Sequence, residues 1–177
     1  AAQDAAGAAR ACLACHAAAA LGAGGVPVPF LAGQQEEYLV KQLRNFRDGE
    51  RALEPSLRKA HELPSSQLRL LAAYFAARPA ELAGGPGGDA GRRLYLDGDA
   101  RRNVPACAGC HGARPEDATA PTTPILHGQP APYLAHQLRL WRSGLRDNSV
   151  DGLMNKVVEP LSDTDIEAVA AFLASAP

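Results

Sequence analysis

"CAGCH", Cys107 to His111, is the second of two pentads of the form C-x-x-C-H; the first is "CLACH", Cys12 to His16. Between them they use all 4 cysteines of the 177-residue chain. Outward from each pentad the same residues recur. A shift of 95 lays Cys12, Cys15 and His16 on Cys107, Cys110 and His111, and "PFLAGQ" from Pro29 on "PILHGQ" from Pro124. The same shift lays Tyr38-Leu39 on Tyr133-Leu134, Gln42-Leu43 on Gln137-Leu138, and Phe46 and Gly49 on Trp141 and Gly144. Self-similarity at a fixed shift marks a duplicated unit. Nothing is inserted or lost between Cys12 and Gly49; beyond it the first copy is three residues shorter, and the halves realign at an offset of 98, Leu63 on Leu161.

The periodicity between these landmarks is helical. Gln34 to Phe46 carries Tyr38, Leu39, Gln42, Leu43 and Phe46 on one face and is stopped by Gly49; its counterpart runs from about Pro132 to Arg142. Ser66–Ala77 and Ser162–Ser175 read as Ala-rich amphipathic helices, the latter opened by Ser162 and Asp165 as a capping box. No stretch alternates with period two over the length of a strand. "RPAELAGGPGGDAG", Arg78 to Gly91, has the Gly and Pro content of a linker. The expected fold is therefore all-α: an N-terminal domain over 1–79, a linker over 80–90 and a C-terminal domain over 91–177, each of a few helices. A domain of that size buries little core of its own, so a bound group is expected to supply part of it.

The pentads say which group. Zinc could use two C-x-x-C pairs and a redox disulfide could use one, but neither needs a histidine directly after the second cysteine. Covalent attachment of c-type haem does: two thiols add across two vinyl groups, and the adjacent histidine is held under the iron. Two complete pentads predict two covalently bound haem c groups, with His16 and His111 as iron ligands. The formal net charge of -1 and pI near 6.6 give no basic footprint for nucleic acid and no polybasic membrane patch. The longest apolar runs, such as Ala168–Ala174, are shorter than the roughly 20 residues that cross a bilayer. The opening "AAQDAAGAAR" has no initiator methionine or signal segment, which fits a mature chain from which a targeting peptide was cut, or a trimmed one.

C-x-x-C-H followed by P-x-L-x-G-Q, Y-L-x-x-Q-L, F or W-x-x-G-x-R and a late L-S-D-x-D-I helix resembles the dihaem cytochromes c of the c4 type, over nearly the whole chain. The resemblance implies two tandem class I cytochrome c domains with the haems near the domain interface. It implies that Pro29 and Pro124 offer backbone carbonyls to the two imidazoles. Arg51 and Arg146 would pair with haem propionates. Tyr38, Tyr133, Phe46 and Trp141 read as core and haem-packing residues, His127 and His136 as surface or haem-edge histidines, and charged stretches such as "QQEEY" as solvated.

Met154, the only methionine, lies ten residues after Gly144, where the family places its distal methionine. A thioether opposite imidazole raises haem potential relative to a second imidazole. "SLRKAHELPSS" from Ser56 aligns without a gap on "MNKVVEPLSDT" from Met154, so the first copy has Ser56 at that position. His61 is the first candidate for the replacement ligand, an open iron the next and Lys59 the third: Lys59 lies nearer the haem-facing side of an ideal helix, but imidazole binds without giving up a proton near neutral pH. The expected function is a periplasmic carrier of electrons between redox partners, a dehydrogenase donor and an oxidase or other acceptor, with no nucleic acid. Peripheral contact with membrane-bound enzymes, and a monomer or a homodimer, are compatible with it. The alternative is a dihaem enzyme, or a sensor of NO or CO, acting at the first haem.

Overall fold

The computed structural model describes residues 2–17, 27–52 and 63–175. These residues are helical apart from turns and one isolated bridge between Asp99 and Val104. The helices are α1 (Ala2–His16), α2 (Glu36–Asp48), α3 (Ser65–Ala76), α4 (Asp89–Asp97), α5 (Ala108–His111), α6 (Ala131–Arg142), α7 (Leu153–Val158) and α8 (Asp163–Ser175). The all-α fold is thus observed.

Two cores form, one in each copy. In the first, α3 packs on α1 and α2 around Ala9, Leu39, Val40, Leu71, Ala72 and Phe75. In the second, α8 packs across α4 and α6 around Tyr95, Leu134, Trp141, Ile166, Val169 and Leu173. The apolar residues recur three and four apart on each helix, so each presents one stripe to its core. The start of α8 is fixed by a reciprocal cap: Ser162 Oγ accepts from Asp165 N at 3.1 Å while Asp165 Oδ2 accepts from Ser162 N at 2.8 Å. Arg102 then ties Asp165 to the loop before the second pentad, with Nη1 2.7 Å from Oδ2.

The Gly- and Pro-rich stretch departs from a free linker. Ala83 N donates to Gly128 O at 2.8 Å, and Gly85 and Gly87 lie against Ala174 and Ser175 at the end of α8. Helix α4 begins at Asp89, so Gly91 belongs to a helix rather than a linker. Its role is contact: a Cβ on Gly91 would come within 2.0 Å of Ala168 O, because α4 and α8 cross there backbone to backbone. Composition alone reads such a glycine as flexibility.

Gly91→Ala should therefore destabilise the second core by about 2–4 kcal/mol, since the atom it meets is backbone and can yield only by moving α4 off α8. Chemical denaturation of the holoprotein followed by circular dichroism measures this; unchanged stability would mean the crossing is looser than described.

Candidate functional site

Each pentad ends a helix with its histidine turned back toward the chain downstream. His16 Nδ1 is 2.8 Å from Pro29 O, and His111 Nδ1 is 2.9 Å from Pro124 O. A carbonyl can only accept, so Nδ1 carries the proton in both rings and the lone pair falls on Nε2, the tautomer of an imidazole that ligates through Nε2. Burial holds His111 below the ordinary histidine value, against the Pro124 bond that raises it, which favours the neutral ligating form. Burial also raises the Cys12 thiol and pushes Cys107 up to about 11. These two thiols are protonated near neutral pH, the form that adds S–H across a vinyl group. Two thiols and one Nε2 donor per copy fit covalently bound haem. Behind the second pentad the buried Tyr95 hydroxyl donates to Gly112 O at 2.7 Å and fixes the residue after His111.

The turns that carry the proline carbonyls also meet each other. Gln34 Nε2 donates to Ile125 O at 2.8 Å, and its Oε1 accepts from Ile125 N at 2.9 Å. Gln129 does the same to Phe30, at 2.8 Å to O and 3.0 Å from N. Gln129 is the repeat of Gln34 and Ile125 the repeat of Phe30, so the contact is isologous within one chain. The glycines of P-x-L-x-G-Q make the reach feasible. Gly33 and Gly128 have φ of +74 and +76, and their N–H groups donate to Phe75 O and Leu173 O near the ends of α3 and α8.

A second layer is built by the arginines. Arg51 Nη2 reaches Gln137 Oε1 at 2.8 Å and Tyr133 Oη at 3.3 Å, while Nη1 reaches Gln42 Oε1 at 2.7 Å. Arg146 mirrors it: Nη1 lies 2.6 Å from Gln137 Oε1, and Nη2 lies 3.1 Å from Gln42 Oε1 and 3.5 Å from Tyr38 Oη. Each amide oxygen serves both guanidiniums. Past Gly49 and Gly144 the chain doubles back, Arg51 N to Asn45 O and Arg146 N to Leu140 O, laying each guanidinium over the aromatic ring of its own motif, Phe46 at 4.5 Å and Trp141 at 4.3 Å. Burial pushes the Tyr38 phenol up, but the charges of Arg146, Arg51 and Lys41 outweigh it and draw it below the ordinary value.

Met154 is half-buried at the start of α7 and packs against the second core. Its backbone N donates to Ser149 Oγ at 3.1 Å. Ser56, Lys59 and His61 lie outside the described residues. Other readings change. His127 is buried rather than at the surface, because it stands edge-on to Tyr95 with ring centroids 5.6 Å apart and Nε2 3.4 Å from its hydroxyl. In "QQEEY" only Glu36 and Glu37 are solvent-side, paired to Arg69; Gln34 and Gln35 cross to the other copy. Sequence reasoning also gave no role to Gln42 and Gln137, which it met only as landmarks of the repeat, or to Asn148 and Asn155. A signal existed for the first two: a glutamine repeated in both copies on the apolar side of a helix has to find a buried partner.

A helix-borne C-x-x-C-H with its imidazole fixed by a proline carbonyl defines a c-type cytochrome domain, and the comparisons agree. The family described as "Cytochrome c" matches residues 88–177. "Thiosulfate dehydrogenase electron acceptor" of Thiomonas intermedia is 36% identical over 171 residues, covering 94% of this chain and 78% of its own. Cytochrome c4 of Thiocapsa roseopersicina is 39% identical, covering 92% of this chain and 85% of its own. The crystal structure of reduced recombinant cytochrome c4 from Pseudomonas stutzeri superposes with a TM-score of 0.87 at 29% identity, covering 100% of this chain and 99% of that one. The chain belongs to the cytochrome c4 family: it is a c-type cytochrome with covalently bound haem c that acts in electron transfer.

Gln129→Ala should cost about 2–4 kcal/mol, because it strands the buried N–H and C=O of Phe30 without partners. Gln34→Ala should cost less, its contact with Ile125 being partly open to water. Denaturation of the two variants side by side reads this order; equal, negligible costs would show the two halves to be held by other contacts.

Proposed function

We propose that this chain is a periplasmic carrier with two covalently bound haems, one at Cys12, Cys15 and His16 and the other at Cys107, Cys110 and His111, and that it is not itself an enzyme. The observation that carries this reading is the duplicated imidazole–carbonyl contact, at 2.8 and 2.9 Å: neither copy has lost the arrangement that orients an axial ligand. Met154, at the start of α7, and His111 would hold the iron of the second haem between them. Haem iron, when bound, supplies reversible one-electron chemistry that needs no bound substrate. The chain's own part is to hold two such centres in a fixed relation, which the polar layers between the copies do. Arg51 and Arg146 bring two buried positive charges to that boundary, where the described hydrogen-bond partners of both are neutral, and they supply the compensation that haem carboxylates there would need.

The donor is a sulfur-compound dehydrogenase. The support is the likeness to relatives named as electron acceptors of thiosulfate dehydrogenase, one of them 37% identical over 177 residues. The support for a periplasmic site is the pair of pentads for covalent haem attachment.

Intact-mass spectrometry of the holoprotein should give the polypeptide plus two haems; a mass with one haem would overturn the two-centre reading. Mixed with thiosulfate and a thiosulfate dehydrogenase, the ferric protein should be reduced within seconds in a stopped-flow spectrometer. Reduction by dithionite but not by that mixture would remove this donor and leave the carrier. Fractionation of the source cells should recover the haem-bearing chain with periplasmic markers.

A further inference from the structure

Met154 is held by a segment that is itself fastened to the other half of the molecule. Asn155, the next residue, donates both amide hydrogens, to Trp141 O at 2.8 Å and to Arg146 O at 2.9 Å. This spans the end of α6 and the chain beyond it, and so pins the start of α7. The orientation is unambiguous, because two carbonyl partners require the NH2 end. It leaves Oδ1 buried without a hydrogen-bond partner among the described residues, which costs stability. A plain packing role would be filled as well by an apolar residue. The first copy has that residue: Leu57 aligns with Asn155 just as Ser56 aligns with Met154, so the methionine and the amide are missing together.

The far end of the tie is the domain interface. Arg146, whose carbonyl takes one of the Asn155 bonds, has its guanidinium on Gln42 of the first copy. Two residues on, Asn148 Nδ2 donates to Gln42 Oε1 at 3.1 Å and Asn45 Oδ1 at 2.7 Å, and its carbonyl accepts from the Lys41 ammonium. Asn148 Oδ1 accepts from Arg146 Nε at 3.0 Å, and Ser149, next in line, takes the Met154 amide. Two of the three bonds that fix the Met154 region thus end on residues 146–149, at Arg146 O and Ser149 Oγ, and the third ends on Trp141; residues 146–149 are clamped by α2 of the other half.

We propose that Asn155 is a positioning residue for Met154, and that the segment 146–149, braced against first-domain Gln42, Asn45 and Lys41, sets how firmly Met154 is presented to the second haem. The inference rests on the reading of Met154 as axial ligand. An external ligand competes only with the fraction of molecules in which the methionine has swung away, so its apparent affinity reports that fraction directly.

The test is titration of ferric holoprotein with imidazole, followed through loss of the near-infrared sulfur-to-iron absorption band. Asn155→Leu, which keeps the volume and removes both donors, should bind imidazole about ten-fold more tightly than the native protein at that haem, as expected for loss of one or two hydrogen bonds. Asn148→Ala, outside α7, should do so by about five-fold, and it decides the matter if Asn155→Leu fails to retain its haem. Arg69→Ala, which removes only the exposed ion pairs with Glu36 and Glu37, should leave the affinity unchanged. If the native protein shows the band while Asn155→Leu and Asn148→Ala bind imidazole with native affinity, Asn155 is a packing residue and the inference is overturned. Absence of the band from the native protein would instead overturn the ligand reading, and this inference with it.

Discussion

Two guanidiniums from different halves of the chain converge on one pair of amide oxygens, Gln42 Oε1 and Gln137 Oε1. Bringing two like charges out of water costs several kcal/mol for each. The arrangement survives because each charge is shared over two amide oxygens, a phenol and the face of an aromatic ring, and because duplication supplies every partner twice. Separating the halves would strand all of these groups at once. This is what makes the two copies one body rather than beads on the Gly- and Pro-rich stretch, which itself lies down on α8.

The interface and the site are made by the same short turn. In the first copy, Pro29 O holds His16, the Phe30 backbone holds Gln129, and Gln34 holds Ile125. The second copy repeats this with Pro124, Ile125 and Gln129. The orientation of each imidazole and the docking of the opposite half therefore cannot be set independently: a rigid stretch from proline to glutamine has the ligand at one end and the other domain at its middle and far end. Gly33 and Gly128 are required at the bend, where a side chain would strike the linker backbone at Ala80 or the Leu82 side chain. A motif that reads as a family signature is, physically, a joint between chemistry and architecture.

Much of this was legible in the sequence and some was not, for identifiable reasons. The helices were readable because apolar spacing and stop glycines are local, and the boundaries of α2, α3 and α8 differ from expectation by a few residues only. The pentads were readable because covalent attachment imposes spacing. What pattern could not give was direction: a polar residue looks solvated until the partner surface is known, which is why Gln34 and Gln35 read as surface. Gly91 read only as the end of a Gly- and Pro-rich stretch, since close approach of two helices leaves no local mark apart from the small residue itself. Arg51 and Arg146 were singled out by the family resemblance as partners for haem propionates, but their crossing to the opposite copy depends on a symmetry axis that no linear alignment displays.

The symmetry holds in the glutamine, tyrosine and arginine layers of the interface and is broken at the sites, and the contrast argues for where direction enters. Gln34, Tyr38, Gln42 and Arg51 each have an identical counterpart in the second copy, whereas Met154 aligns with Ser56, Asn155 with Leu57, and Gly112 after the second pentad with Ala17. Gly112 has φ +83, and a Cβ there would meet Arg114 O at 2.7 Å, so the two pentads cannot be followed by the same turn. In the proposed two-haem carrier, a common mount with dissimilar ligand segments would give the two centres different electron affinities, because a thioether on iron raises its potential. The asymmetry lies in the segment from residue 146 to 155, which ends on a braced methionine and its amide where the first copy carries a serine and a leucine.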